Sequence, residues 1–332
     1  NQNMTAFGGW EKEGKEKKLV HKNSIEGADI GGYASFGKLK KQTLLMKVGI
    51  SYVSEEQARI NLEKELAHWN FDRVKEDAFA EWNRELGKIT VEGGSEEEKI
   101  KFYTDLWHSL LGRHTFSDFN GKYIDNTGEE PVVRQVPLDN GTPTRNTYNS
   151  DAFWGSEFNL NILWSIAYPK VMSEFVSTLV DYYTNGGMIA RGPSGGNYTY
   201  VMVGDQATPL IAAAYNKGIR DFDIESAYQG CLKNSEPGGI RDYVGYKTNP
   251  GNFMQQYVDK GFVPEPTTKS PHAEGCAMTL YFAYEDWCMA QFAKGLEKED
   301  VYRKYLQRSF NYRYVYDKQS GWMRPRTTDG SW

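Results

Sequence analysis

The stretch NSDAFWGSEFNLNILWSIAYP, residues 149–169, sets two carboxylates, Asp151 and Glu157, among two Trp, two Phe and a Tyr. A plain core helix does not need the acids, and a plain loop does not carry so many rings. A carboxylate beside a flat ring suits a sugar: the ring covers apolar C–H groups while the acid accepts hydroxyls. Trp154 is the candidate stacking platform and Glu157 the candidate hydroxyl acceptor. Arg191, Asp205 and His272 come next, each on a predicted inter-helix loop or helix start. Asp205 follows YVMVG and fits a helix cap equally well. Glu285 and Asp286 are adjacent in the helical run FAYEDW, so one of them must face inward or sideways. No two of the five His lie three or four apart, which excludes a helical His-pair metal site. The Gly-rich RGPSGGNYTY at 191–200 follows a predicted helix, not a strand, and reads as a tight turn rather than a phosphate cradle.

The bulk composition narrows the partners. The 332 residues carry a net charge of −5, which argues against nucleic acid or an anionic membrane surface. Aromatics reach 14 %, with 22 Tyr and 9 Trp, which suits either a Tyr-rich helical core or a carbohydrate binder. The three cysteines, Cys231, Cys276 and Cys288, match no zinc spacing and read as buried thiols. No run of 18 apolar residues is present, so no membrane span is expected. The opening NQNMTAFGG and the closing GWMRPRTTDGSW both read as cut from something longer.

These side chains need elements to position them. TLLMKVGISYV at 43–53 alternates, with Leu44, Met46, Val48, Ile50 and Tyr52 on one face, and predicts a half-buried strand. ADIGGYASFG can supply another strand, nothing earlier is long enough to complete a sheet, and EKEGKEKK at 11–18 reads as a solvated loop. Ser54 with Gln57 and Ser95 with Glu98 are capping-box signals that open helices, and a further helix is expected over 73–89. Residues 113–150 and 234–271 read as long loops. Helices are expected near 157–167, from Pro169 to Gly186, and near 205–217, 222–233, 274–294 and 298–316. The expected organisation is residues 1–54 as β structure, 55–92 as linker helices and 93–332 as a helical domain.

KVGISYVSEEQARINLEKEL, FYTDLWHSLL, GGNYTYVMVGDQATPLIAAAYNKGIRDFD, AYEDWCMAQFAKGLEKED and RSFNYRYVYDKQSGWMRPR together resemble glycoside hydrolase family 92, the bacterial α-mannosidases. The resemblance runs from about Gly31 to Trp332. It implies a mainly α fold: part of an (α/α)6 toroid, preceded by the last strands of an N-terminal β-sandwich. It also implies exo-acting, inverting, calcium-dependent removal of α-linked mannose, and export to the periplasm or cell surface. The expected partners are a mannose-containing glycan and the remainder of the same polypeptide. The chain departs from the family pattern in two places. FWGSEFN stands where a W-D-T-F-R-type motif is usual, so Gly155 falls on an acid that contacts mannose, and Glu157 is the candidate replacement. TLYFAY stands for T-L-E-Y-A-Y, which puts Tyr281 in the Glu position. The family's catalytic carboxylates and most calcium ligands belong to segments expected after Trp332, so no catalytic residue is assigned here and the piece alone is expected to be inactive. The alternative is a divergent or non-catalytic glycan-binding protein on the same scaffold.

Overall fold

The computed structural model describes residues 4–20, 24–38, 43–150, 153–245, 248–266 and 274–332. Strands come first and helices follow. Strands β1 (Ala6–Glu13), β2 (Glu16–Val20) and β3 (Ile30–Ser35) form an antiparallel sheet in the order β2-β1-β3. The segment expected as a solvated loop is therefore a hairpin. Glu13 pairs with Glu16 across a turn at left-handed Gly14, and the charges stand on a sheet that is solvated almost throughout.

Residues 43–53 correct a second expectation: they form no strand. Met46, Val48, Ile50 and Tyr52, expected on the buried face, are 60–81 % exposed. The opposite face meets helix α1 (Glu55–Glu65) instead, because Gly49 allows close approach. A Cβ there would lie 2.3 Å from the Ala58 carbonyl oxygen. Asn61 of α1 locks the arrangement. Its amide donates to the Ile50 carbonyl at 2.9 Å and to Asp118 at 2.8 Å, and its oxygen accepts from the Phe119 amide at 2.8 Å. Asn61→Leu leaves buried Asp118 with the Ser51 hydroxyl, at 2.8 Å, as its remaining side-chain donor and leaves the Phe119 amide unpaired, so we expect a loss of about 1–3 kcal/mol in urea unfolding. A change within about 0.5 kcal/mol would mean that water replaces the amide without cost.

Helices α2 (Phe71–Leu86) and α3 (Glu96–Leu110) follow, the latter opened by the complete Ser95–Glu98 capping box. Helix α2 buries none of its residues, and Phe71, Phe79 and Trp82 stand 37–70 % exposed. The long stretch 113–150 is tied by short ladders, Lys122–Asp125 with Val132–Gln135 and His114–Thr115 with Tyr148–Asn149.

The helical body contains α4 (Leu160–Ala167), α5 (Pro169–Gly186), α6 (Ala207–Asn216) and α7 (Ile224–Asn234). It continues with α8 (Phe253–Lys260), α9 (Gly275–Gly295) and α10 (Glu299–Arg308). Pro at the first position of α5 and left-handed Gly187 after its end set its bounds as expected. Its inward stripe, including Met172, Phe175, Val176 and Leu179, joins Leu210, Ile211, Met289 and Phe292 in the main core. Helix α8 lies in a stretch expected as loop; its eight residues are too few to show a helical period, yet Phe253, Met254 and Tyr257 are buried. An open aromatic groove of about 290 Å³ runs along α9, lined by Tyr284, Trp287, Phe310 and Tyr312. Cys231 and Cys288 are buried as expected, whereas Cys276 is only partly so. Among the described residues no helix is long and apolar enough to cross a membrane.

Candidate functional site

The aromatic stretch is anchored from beneath by a cation. The Arg113 guanidinium lies 4.4 Å from the Trp164 ring, 4.5 Å from Phe175 and 5.8 Å from Phe153. Burial pulls its pKa down to about 10. Phe153 also meets Phe175 edge-on at 5.5 Å. With Phe153 pinned inward, the next residue, Trp154, is 45 % exposed. Left-handed Gly155 then turns the chain into the 3-10 turn Ser156–Phe158, which carries Glu157. Glu157 Oε2 is buried and accepts no hydrogen bond, and burial pushes the carboxyl above its ordinary range.

Arg191 and Asp205 lie inside the protein. Arg191, 2 % exposed, donates from Nη1 to the Gly204 carbonyl at 3.0 Å. Its Nη2 donates to the Ile240 carbonyl at 3.2 Å and to that of Tyr243. It thus ties two loops together, and burial pulls its pKa down to about 10. Asp205, fully buried, accepts from the Thr208 hydroxyl at 2.6 Å and the Asn234 amide at 3.1 Å. The Asp205 amide donates to Glu285 Oε1. Gly204 has φ +82°, and a Cβ there would lie 2.3 Å from that same oxygen, so only glycine fits.

Behind this loop lies an ion network that the sequence did not reveal. Both acids of the FAYEDW pair are buried, not one. Arg241 Nη1 donates to Asp286 Oδ1 at 2.7 Å. Arg308 reaches both Asp286 oxygens at 2.6 and 2.8 Å, and the Tyr257 hydroxyl adds a bond at 3.1 Å. Arg241 Nε lies 3.1 Å from Glu285 Oε2 but without hydrogen-bond alignment, so this contact is Coulombic. Burial pushes the Glu285 carboxyl up to about 8 against the opposing charge of Arg241. Two adjacent acids inside an apolar helix are the one sequence signal that cations had to be near.

Burial raises the Tyr281 and Tyr284 phenols, and the charges of both Glu157 and Glu285 reach each of them. Asp151 and His272 lie outside the described residues. Residues 192–196, GPSGG, fit G-x-S-x-G in letters. Ser194 nevertheless sits in a two-residue strand paired with Asn197–Tyr198, so no strand-to-helix nucleophile elbow forms.

The buried acids do not fit calcium. A calcium ion needs six to eight oxygen ligands. Here Asp205 is taken up by Thr208 and Asn234, while Glu285 and Asp286 face arginines that would repel a cation. Among the described residues no group of three or more His, Cys, Asp or Glu is placed to hold a metal.

Residues 57–332 match the family model described as the glycosyl hydrolase family 92 catalytic domain. A protein of Arthroderma benhamiae described as an uncharacterized secreted glycosidase is 25 % identical over 313 residues, covering 86 % of this chain and 34 % of that protein. A solved family 92 inverting mannosidase from Bacteroides thetaiotaomicron has TM-score 0.84 at 25 % identity, covering all of this chain and 42 % of that one. A second family 92 α-mannosidase from the same organism has the same fold, with TM-score 0.77 at 23 % identity over 99 % of this chain and 42 % of that one. The chain therefore spans between a third and a half of the length of these proteins.

Proposed function

Because the chain belongs to glycosyl hydrolase family 92, we infer that it forms one wall of a glycosidase pocket for a terminal α-linked mannose. The observation that carries this reading is the half-exposed Trp154 ring, three residues before Glu157, whose Oε2 is buried without a partner. The ring face covers the apolar side of the pyranose, and the carboxylate accepts a hydroxyl in place of lost water. The solved inverting mannosidase with the same fold supports the same outcome here. In such hydrolysis one carboxylic acid protonates the leaving oxygen. A second carboxylate, about 6.5–9.5 Å away, takes a proton from the attacking water. Asp205, Glu285 and Asp286 are at most 1 % exposed and already bonded or ion-paired, so we place the reacting carboxylates and the calcium ligands outside this chain. The exposed apolar residues of α2 and the aromatic groove on α9 suit contact with the rest of the polypeptide. The secreted relative supports export to the periplasm or cell surface.

The alternative, a non-catalytic glycan binder, draws on Gly155 and Tyr281 standing where acids are usual. An aryl α-mannoside assay separates the two. The full-length protein is expected to release mannose with inverted anomeric configuration, and the 332-residue chain alone to release none. Binding of methyl α-mannoside by the full-length protein without turnover would establish the binder instead. Trp154→Ala should weaken methyl α-mannoside binding about tenfold, the worth of a stacked ring. Unchanged affinity in titration calorimetry would remove the ring from the pocket.

A further inference from the structure

We propose that the stacked pair Tyr200 and Tyr243 forms a second ring platform, which binds the sugar unit next to the terminal mannose. This rests on the mannose-pocket reading above and adds to it the unit across the scissile bond. Both rings stand on loops at the Trp154 end of the helical body. Only Tyr168 separates α4 from α5, and the two helices pack on each other, so the chain entering α4 and the loop leaving α5 share one end. Hydrogen bonds fix that neighbourhood. The Ser150 amide donates to the Pro193 carbonyl at 2.8 Å, and the Gly195 amide donates to Asn149 Oδ1 at 3.0 Å. The segment leading into Trp154 is thereby tied to the loop 192–206, which carries Tyr200. From inside, Arg191 joins the Gly204 carbonyl of that loop to the Ile240 and Tyr243 carbonyls of the loop before α8.

The rings form a series. Tyr198 is its base, buried and with its hydroxyl donating to the Tyr182 carbonyl at 2.9 Å. Tyr200 stacks on Tyr198, with centroids 5.9 Å apart and planes at 26°. Tyr243 stacks on Tyr200 at 4.8 Å and 22°. Tyr200 and Tyr243 are both partly exposed. Among the described residues their hydroxyls have no hydrogen-bond partner, and neither oxygen is shut off from solvent. A flat apolar face with a wet hydroxyl at its edge suits a pyranose, whose C–H groups and hydroxyls it meets together. Because the stack rests on a fixed base and on loops bonded to each other, little side-chain freedom is lost on binding.

The test is calorimetric titration of the full-length protein with sulfur-linked α-mannobiosides, which resist hydrolysis, and with methyl α-thiomannoside. Wild type should bind the mannobioside of the accepted linkage about tenfold more tightly than the monosaccharide. Tyr243→Leu removes the flat face but keeps an apolar packing partner for Tyr200. It should cut that preference about tenfold. Tyr200→Phe combined with Tyr243→Phe keeps both rings and removes only the hydroxyls. It should cut the preference about fivefold, which covers the case that Tyr243→Leu does not fold. An unchanged preference in both variants, or equal weakening of both ligands, overturns the platform and leaves the pocket standing. Wild type without a preference for any mannobioside does the same. Wild type that binds neither ligand ends the pocket reading and this inference with it.

Discussion

Asp286→Ala is expected to lower the unfolding free energy by about 3–5 kcal/mol, the usual cost of removing one member of a buried ion network. Asp286 is fully buried and accepts from Arg241, from two nitrogens of Arg308 and from Tyr257. Without it two guanidinium groups face each other at low dielectric with too few acceptors. Glu299→Ala is the comparison. Its 2.7 Å pair with Arg303 is equally short, but both side chains are more than half exposed, so about 0.5 kcal/mol or less is expected. Adding Arg308→Met to Asp286→Ala should cost less than the sum of the single changes, because the second removes a charge that the first left unpaired. Urea titration checks all four variants. Equal costs for Asp286→Ala and Glu299→Ala would show that water enters the network and screens it.

Glu285 gives stability an unusual pH dependence. Its folded-state pKa, about 8, lies above the ordinary 4.5 because the carboxyl is buried. The native state then holds its proton more tightly than the unfolded chain. The stability from this group is therefore complete below the ordinary carboxylate range and is lost as pH rises through about 8. The groups facing it are Arg241 and Asp205 from two loops and Asp286 from its own helix. Arg191, held by its own loop, lies in the same field. At about 1.4 kcal/mol per pH unit the loss amounts to several kcal/mol. Glu285→Gln should remove it, so the stability of wild type relative to this variant should fall between about pH 5 and pH 9. A flat difference would mean that Arg241 keeps Glu285 ionised throughout, and a rising one would mean that the pair stabilises the fold as a charged couple.

Apart from α8, the helices were legible in the chain itself. Pro169, Gly187, the Ser95–Glu98 box and the apolar spacing within α5 each act over a few neighbouring residues, and each appears in the structure where the spelling places it. The family was legible too, because many ordered motifs carry it, and residues 57–332 match accordingly. Trp154 and Glu157 are singled out by type alone, since rings beside an acid are uncommon in a core. Residues 43–53 were misread because alternation states that two faces differ, while which face is covered depends on what packs there. Gly49 against α1 settled it. The hairpin over β1 and β2 was missed because charged residues suit a solvated sheet as well as a loop. Only the folded chain could show that Arg191 and Asp205 hold loops from inside. The same is true of Arg241 and Arg308 meeting Asp286 from 45 and 22 residues away. Local geometry is written in short spacings; partners that balance a buried charge are chosen by three-dimensional proximity, and no spacing rule encodes them.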